Sequence, residues 1–487
     1  MKRCTVALLC LAVVLCALLA GCGGDSAAPA GLLSPNNLNL VFVVTPDLAN
    51  DPLGDISTTT GNLNDQGLQR ALLMGSYLKS QLLGGRNVSS IRALEPMSHL
   101  QTGNGNPDMA GLGFVQQFAL LNQTTVNGYT ANSFPIGVSY APGGAPSGVF
   151  APSWPPGGAQ GLAFGDTAAN TALLSSIIQG NSSGYHVFSA PWETVSALLA
   201  GINQQNGYNL TLPAAYKGPN IVYALSITPS GSATLHEFDS GLSPGSAYPV
   251  LPATVAGSST PQQPYFNYTL IGGVNGVTVP PGANTNLTIY FIRHVEAHPV
   301  KTFEDGSYVG AGQWRALALA NFLPAALRSQ GMPLPDLVYS IDPAQSFPLS
   351  ASMTVSYVRP SLTVLPYAIA NNLPYKLVSS FFIDMASSQA AAQNTSAFFF
   401  THTNSAGVDL SGHTVLVAWE HEHYEPLINA LLASYGSSLT VPAGIWGQDD
   451  YDTIWTVRFD GAGNVTVHNA LMEGIDSSKL PPTAPPF

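Results

Sequence analysis

Cysteine is absent after residue 22, and charged residues are scarce, at 9% of the chain. Without cysteine, residues 23–487 can form no disulfide, no thiol nucleophile and no cysteine-ligated metal site, so an apolar core has to stabilise the fold. Lysine and arginine number only 15 against 27 acidic residues, a formal net charge of −12. No basic patch is therefore expected that could bind a nucleic-acid backbone.

The amino-terminal segment holds all four cysteines and begins with a basic tripeptide followed by the apolar run Val6–Ala20. That run is too short for a membrane span and is typical of a signal peptide. The tetrapeptide that ends at Cys22 (Leu-Ala-Gly-Cys) resembles the lipobox of bacterial lipoproteins, which implies cleavage before Cys22 and acylation of that residue. An ordinary secretory signal with an incidental cysteine is the alternative.

The sequence therefore predicts an extracytoplasmic protein that is held at a bacterial membrane by lipid on Cys22. Gly23 stands where an inner-membrane retention signal typically has Asp, which favours the outer membrane in a two-membrane bacterium. We interpret residues 1–22 as the lipoprotein signal peptide. Residues 23–37, rich in Ser, Ala, Pro and Gly, would form a tether between the membrane and the fold.

The rest of the chain contains one pattern twice. The apolar strand Leu40–Val44 is similar to Thr288–Ile292, and in both places a helix with the sequence Gly-x-x-Arg follows, at Arg70 and at Arg315. Later segments match in the same order, which indicates an internal duplication of one α/β domain. Chance similarity between two α/β sequences is the alternative. The predicted boundaries are 38–266 for the first copy, 267–286 for a linker and 287–487 for the second copy.

In the second copy, Arg293 and His294 follow directly after the run of β-branched and aromatic residues Thr288–Ile292. This run predicts a buried parallel strand, and ligands of open α/β sheets bind at the carboxyl ends of such strands. The guanidinium of Arg matches phosphate oxygens, and a neutral imidazole can act as a nucleophile. His294 is therefore the candidate nucleophile. A solvated strand end is the alternative explanation of this dipeptide alone.

Two further segments are predicted to lie at the same carboxyl end of the sheet as Arg293 and His294. Pro360 suits the first turn of a helix, which places Arg359 at a helix amino terminus, a favourable site for an anion. The predicted strand Thr414–Ala418 ends shortly before His421 and Glu422. We expect the side chains of these segments to meet those of the first strand end.

These segments, in this order, resemble the histidine phosphatase superfamily, which has the phosphoglycerate mutase-like fold. The resemblance rests on the Arg293-His294 dipeptide, on Arg359 with a Thr four residues later, and on His421 after a late strand. It implies two tandem three-layer α/β/α domains, the first degenerate. The second would be a phosphomonoester hydrolase that forms a phosphohistidine on His294 and needs no cofactor. Val295 stands where the family most often has Gly, and it could narrow the pocket.

The resemblance also implies roles for the other residues. Arg293, Arg359 and His421 would bind the phosphoryl group of a small phosphorylated substrate, and Glu422 would protonate the leaving group. The two arginines are expected to lower the pKa of His294. Weaker candidates are Glu296 and Asp384 as acids and His423 as a neighbour. His298 could line the pocket, but we prefer a surface position for it.

Two alternatives stay open at this point. His294, His421, His423 and Glu422 are good ligand types for Zn²⁺, although two arginines beside them would repel a cation. A catalytically inactive surface protein of the same fold could use the pocket to bind an anionic ligand. The first copy has Thr45-Pro46 in place of Arg293-His294, so we expect that copy to be inert as a phosphatase.

Overall fold

The computed structural model describes residues 31–50, 54–101, 105–139, 161–256, 272–274, 279–300, 303–350, 353–378, 388–403, 408–444 and 446–487. The predicted signal peptide, Cys22 and most of the predicted tether lie outside these residues, as does Asp384. Within them, no helix combines the length and the apolar character of a membrane span.

Strands and helices alternate in the first half as its apolar periodicity predicts. Its strands are β1 (Leu38–Thr45), β2 (Ser90–Ala93), β3 (Thr124–Val126), β4 (Tyr129–Ala131), β5 (Ile136–Gly137), β6 (Gly184–Pro191), β7 (Ile221–Ile227) and β8 (Ala233–Asp239). Its helices are α1 (Asp65–Tyr77), α2 (Ala110–Leu120), α3 (Thr167–Gly180), α4 (Trp192–Asn206) and the short α5 (Ala253–Ala256).

The second half repeats this alternation. Its strands are β9 (Gly272–Val274), β10 (Leu287–Arg293), β11 (Leu337–Ile341), β12 (Ser346–Ser350), β13 (Met353–Ser356), β14 (Tyr375–Val378), β15 (Thr414–Trp419), β16 (Thr453–Phe459) and β17 (Val465–Met472). Its helices are α6 (Gly310–Ser329), α7 (Arg359–Ala370), α8 (Ser388–Phe400) and α9 (Tyr424–Ser434).

The two main sheets have equivalent strand orders. The first runs β5-β2-β6-β1-β7-β8 and the second runs β14-β11-β15-β10-β16-β17-β9. In each sheet the first four strands are parallel and the next two are antiparallel to their neighbours. β9 is an additional edge strand of the second sheet, within the predicted linker 267–286. Part of that linker therefore belongs to the second fold.

Apolar side chains cover both faces of each sheet, which gives the predicted three-layer α/β/α arrangement. Along β1, Val41 and Val43 pack on one side, whereas Leu40 and Phe42 pack on the other with α3 and α4. The second sheet packs its outer face against α8 and α9. Strands buried on both faces are expected for parallel sheets between helices.

The inner helices of both halves share one apolar core. Side chains of α1 and α2, such as Leu72 and Phe118, belong to the same buried cluster as Leu317 of α6 and Leu362 of α7. Hydrogen bonds also cross between the halves, as from Gln117 Nε2 to a carbonyl oxygen of the carboxyl-terminal segment, over 2.7 Å. The periodicity of the sequence predicted two cores but gave no sign of this shared one.

Candidate active site

The strand ends of the second sheet bring the predicted site residues together. β10 and β15 are adjacent and parallel, with Arg293 opposite Trp419, so the segments that follow them emerge at one edge. A cavity of about 650 Å³ lies there. It is lined by Arg293, His294, His298, Pro299, Val300, Glu304, Tyr357, Arg359, Glu420, His421, Glu422, Gln448, Asp449 and Tyr451. All five predicted catalytic and phosphate-binding residues are among them.

His294 is held as a neutral imidazole with one nitrogen available. Its Nδ1 lies 2.9 Å from the carbonyl oxygen of Val295, and because a carbonyl can only accept, Nδ1 carries the hydrogen. Nε2 is then the unprotonated nitrogen of the neutral ring. Burial, with the charges of Arg359 and Arg293, lowers the pKa of His294 well below its ordinary value. The ring is therefore ready to act as a nucleophile over a wide pH range.

Arg293 is 3% exposed and is fixed by the loop that precedes β16. One terminal nitrogen of its guanidinium donates to the carbonyl oxygens of Gly447, Gln448 and Asp450, at 3.1, 2.6 and 3.3 Å. The guanidinium carbon lies 4.2 Å from the centre of the Tyr451 ring. These contacts hold the positive charge in place before any ligand binds, which lowers the cost of reorganisation on binding.

Arg359 begins α7 and is 1% exposed. Its two terminal nitrogens contact the loop after β10: one pairs with the Glu304 carboxylate and the other lies 3.2 Å from His298 Nε2. Nε of Arg359 and Nε of Arg293 have no hydrogen-bond partner among the described residues. Two buried guanidinium groups with an unused donor each are suited to an anion that enters the cavity.

Thr363, four residues after Arg359, has a structural role. Its hydroxyl accepts from the backbone N–H of Val295 at 3.1 Å and donates to the carbonyl of Arg359 at 2.8 Å. It therefore ties the first turn of α7 to the backbone beside His294. Val295 itself is 1% exposed, packs in the core against Gly312 and does not line the cavity. The expectation that Val295 narrows the pocket is not supported by this placement.

Glu420 lies between two histidines. Its carboxylate contacts His421 Nδ1 and lies 2.9 Å from His423 Nδ1. Burial favours the protonated form of Glu420, but the hydrogen bonds from His421 and His423 outweigh it and hold its pKa well below the ordinary value. Glu420 is thus ionised, fixes the ring of His421 and is unsuited to donate a proton.

The remaining carboxylates of the cavity lie at its rim. Glu422 and Asp449 are exposed. No described residue forms a hydrogen bond or ion pair with the carboxylate of Glu422, so it is available to a leaving group, as predicted from its position after His421. Glu304, which the sequence did not single out, is engaged with Arg359 and lies 3.1 Å from His298 Nε2.

The weaker candidates take other places. Glu296 accepts from Arg315 Nε at 2.9 Å within a buried ion cluster, which is a structural role. His298 lines the cavity, whereas His423 is buried against Trp419, with ring centres 4.7 Å apart. The surface position that we preferred for His298 is therefore not what the structure shows.

A metal site would use a different set of residues from the one considered above. Ligand atoms of His294, Glu420 and His421 lie within 4.8 Å of one another, so the carboxylate would be Glu420 and not Glu422. Arg293 and Arg359 lower the pKa of His294 by their charges, and the same charges oppose a cation at that ring. The charge around His294 therefore favours an anion.

Sequence reasoning missed Glu304, Tyr357, Asp449 and Tyr451. A signal for two of them was present: β16 is antiparallel to β10, so the loop before it must return to the edge where β10 ends. That loop contains Asp449 and Tyr451. Glu304 and Tyr357 have no comparable signal, because they reach the cavity only through the paths of their loops.

No protein-family model and no curated protein matches the chain. Solved structures with similarity to part of it include mycobacterial hydrolase 2, at 13% identity and a TM-score of 0.23, covering 38% of this chain and 91% of that one. A protein described as the phosphohistidine phosphatase SixA from Agrobacterium tumefaciens is 19% identical, with a TM-score of 0.19, over 35% of this chain and 90% of its own.

A mycobacterial glucosyl-3-phosphoglycerate phosphatase, determined with inorganic phosphate, is 15% identical, with a TM-score of 0.23, over 39% of this chain and 99% of its own. Two of these three proteins are thus described as phosphatases. TM-scores this low establish no function for the present chain. The function proposed below is supported by the geometry and charge of the site itself.

Proposed function

We propose that the second half is a phosphomonoester hydrolase that acts through a phosphohistidine on His294. One observation carries this proposal: a buried, neutral His294 shares a cavity of about 650 Å³ with the guanidinium groups of Arg293 and Arg359. A cavity of this volume suits a small-molecule substrate. The two arginines would hold the phosphoryl oxygens and spread their charge, which is most of what a protein contributes to phosphoryl transfer.

In the first step, the lone pair of His294 Nε2 forms a bond to phosphorus as the ester P–O bond breaks. The alcohol oxygen leaves with the bonding electrons and takes a proton from Glu422. His421 lines the same cavity near His294 and is oriented by Glu420, so that it would donate a hydrogen bond to a phosphoryl oxygen.

In the second step, water attacks phosphorus, its proton passes to the Glu422 carboxylate, and the P–N bond breaks. Inorganic phosphate leaves, His294 is neutral again and Glu422 is protonated again. Arg293 and Arg359 stay charged throughout, so the proton balance involves Glu422 and water only.

Hydrolysis of p-nitrophenyl phosphate tests the proposal. His294→Ala should reduce turnover by roughly 10³-fold or more, because the nucleophile is lost. His413→Ala is the matched control, since His413 is an exposed histidine paired with Asp336 near the start of β15, and it should keep full activity. Radiolabelled substrate should leave an acid-labile phosphate on the wild-type chain and on His413→Ala, but none on His294→Ala. Equal activity of His294→Ala and the control would refute the nucleophile.

The alternative is a protein that binds an anionic ligand in this cavity without chemistry. It would retain phosphate with both arginines intact, show no turnover of any phosphoester and carry no labelled phosphate after incubation. A panel of small phosphomonoesters separates the two functions, because the hydrolase must release phosphate from at least one of them.

We further propose that the chain is extracytoplasmic and anchored to a bacterial membrane by lipid on Cys22, with no nucleic-acid partner. Cys22→Ser should then leave an unprocessed precursor without lipid in a bacterial expression host. Normal cleavage and release of this variant would show that the segment is an ordinary secretory signal. The lipid anchor and the phosphatase activity are independent of each other, so each can fail alone.

A further inference from the structure

The charges of the cavity are divided between its interior and its rim. The guanidinium groups of Arg293 and Arg359 are almost completely buried, at 3% and 1% exposure. At the rim, the side chain of Glu304 is 39% exposed, and Glu422 and Asp449 are exposed as well. Among the described residues that line the cavity there is no lysine and no third arginine.

The interior can hold one phosphoryl group, but its other donors are already used. Both terminal nitrogens of Arg359 contact Glu304 or His298, and a terminal nitrogen of Arg293 donates to three backbone carbonyls. The donors of these two side chains without a hydrogen-bond partner among the described residues are the two Nε atoms and Nη2 of Arg293, which together suffice for one phosphoryl group. A second anionic group on the same substrate would therefore meet few free donors and would have to lie near the carboxylates of the rim.

The rim carboxylates of Glu304 and Asp449 differ in their partners. Glu304 is paired with Arg359, whereas Asp449 forms no ion pair with a described residue. The Asp449 carboxylate beside the mouth of the cavity attracts a positive group and repels a negative one, to an extent that falls with ionic strength. The alcohol half of a bound phosphomonoester has to lie on this side, since its phosphoryl group is directed to His294.

We infer that the preferred substrates are phosphomonoesters whose alcohol half carries a cationic ammonium group, with Asp449 as the residue that selects for it. This inference rests on the proposed phosphatase activity and adds the substrate class. It excludes phosphomonoesters with a second phosphate or a carboxylate as good substrates.

The test uses three small alkyl phosphates of similar length with a cationic, a neutral or an anionic end: phosphoethanolamine, n-propyl phosphate and phosphoglycolate. With the full mature chain at pH 7 and low salt, kcat/KM should fall in that order, by roughly 2- to 5-fold at each step. The differences should shrink at 0.5 M salt, because exposed charges are screened. An equal or reversed order would overturn the inference.

Asp449→Asn should bring the kcat/KM values for the cationic and neutral substrates together, because it should lower the value for phosphoethanolamine more than that for n-propyl phosphate. Asp409→Asn is the matched control, because its side chain is 68% exposed and does not line the cavity. A preference for the cation that survives Asp449→Asn in full would remove Asp449 from this role.

Binding separates failure of this inference from failure of the phosphatase proposal. Calorimetric titration of His294→Asn with the same three phosphates needs no turnover, and the cationic ligand should bind most tightly. The same order without any hydrolysis by the wild-type chain would support the substrate class and refute the enzyme. Hydrolysis of p-nitrophenyl phosphate without any preference among the three alkyl phosphates would support the enzyme and refute the substrate class.

Discussion

The carboxyl ends of the parallel strands carry different side chains in the two sheets. In the second half, Arg293 ends β10 opposite Trp419 of β15, and in the first half Thr45 ends β1 opposite Pro191 of β6. Equal strand orders and equal registers make these positions equivalent. The guanidinium and imidazole of one edge are therefore replaced by a hydroxyl and a proline on the other.

In the first half, a buried acidic cluster surrounds one histidine near the carboxyl end of β1. His99 Nε2 lies 3.4 Å from Asp47 Oδ2 and 4.0 Å from Asp108 Oδ2, and the His99 ring stacks on Phe164 with centres 3.8 Å apart. Burial raises the pKa of Asp108 to about 6. Burial alone would lower the pKa of His99, but the hydrogen bond to Asp47 and the charges of Asp108, Asp47 and Glu193 raise it. Such a cluster would repel phosphate.

A structural feature away from the edge is retained in both halves. Arg70 of α1 pairs with Asp55, and Arg315 of α6 pairs with Glu296 at 2.9 Å, both from the loop after the first strand. These are the arginines of the repeated Gly-x-x-Arg pattern. The two halves thus share a strand order and a buried Arg–carboxylate pair but differ in the side chains at the strand ends. The internal duplication stays a prediction from the sequence.

The largest expected effect on activity comes from removing one positive charge from the cavity at the strand ends of the second sheet. Arg359→Ala should reduce kcat/KM for p-nitrophenyl phosphate by roughly 10³-fold, because a phosphate donor and the charge beside His294 are both lost. Arg359 lowers the pKa of His294, so its removal should raise that pKa. Since the nucleophile must be neutral, the acid limb of the pH–rate profile should move to higher pH.

The pKa of a free histidine is about 6.5, and wild-type activity should accordingly persist well below that pH. Arg328→Ala is the control, because Arg328 is an exposed arginine on α6 and should change neither rate nor profile. An acid limb that stays in place, or moves toward lower pH, in Arg359→Ala would contradict the assignment of His294 as the titrating nucleophile.

The second prediction compares the two buried arginines. Arg315 is completely buried and contacts three carboxylates, of Glu296, Asp452 and Glu473. Arg315→Met should destabilise the fold by about 3–5 kcal/mol, because the remaining carboxylates are left buried without a cation. Arg70→Met should cost less, since Arg70 pairs with one carboxylate. Urea unfolding at pH 7 measures both, and equal losses would show that the acidic partners do not set the cost.

The fold and the interior of the site followed from local patterns in the sequence. Strand ends, a Pro at a helix start and the order of three segments placed Arg293, His294, Arg359 and His421 in one cavity. Those patterns work because the carboxyl ends of parallel strands share an edge. The rim residue Glu304 could not be placed, since the path of a loop depends on contacts distant in sequence.

Other features also lie beyond local patterns. An apolar helix face predicts burial but does not say which helix covers it, so the core shared by the inner helices of both halves was not foreseen. β9 adds to the edge strand β17 although its sequence, Gly-Gly-Val, has little strand character. The family resemblance led us to expect that Val295 would narrow the pocket, yet its side chain lies in the core. Its backbone N–H donates to the Thr363 hydroxyl.

The third prediction concerns Glu422, for which the first half has Thr194 at the equivalent place. Glu422→Gln should slow hydrolysis of an alkyl phosphate by roughly 10²-fold and affect p-nitrophenyl phosphate little, because p-nitrophenolate leaves without a proton. Glu425→Gln, in the first turn of α9, is the control. Equal losses on both substrates would exclude Glu422 as the acid.

The smallest expected effect tests the cluster of the first edge. His99→Gln should leave phosphatase activity unchanged and lower the stability of the fold by about 1–2 kcal/mol at pH 5.5. The folded-state pKa of His99 is raised above its unfolded value, so its charge stabilises the fold below about pH 6.5. That contribution is lost as pH rises through the raised pKa.

The stability difference between wild type and His99→Gln should therefore shrink toward pH 8.5, where the imidazole is neutral in both folded and unfolded chains. Asp108 acts in the same sense: burial raises its pKa to about 6, so its ionisation also lowers stability as pH rises toward that value. His236→Gln, on β8 of the same sheet and outside the acidic cluster, is the matched control. Urea midpoints between pH 5 and 8.5 measure all three chains, and a difference that grows with pH would refute the charged form of His99.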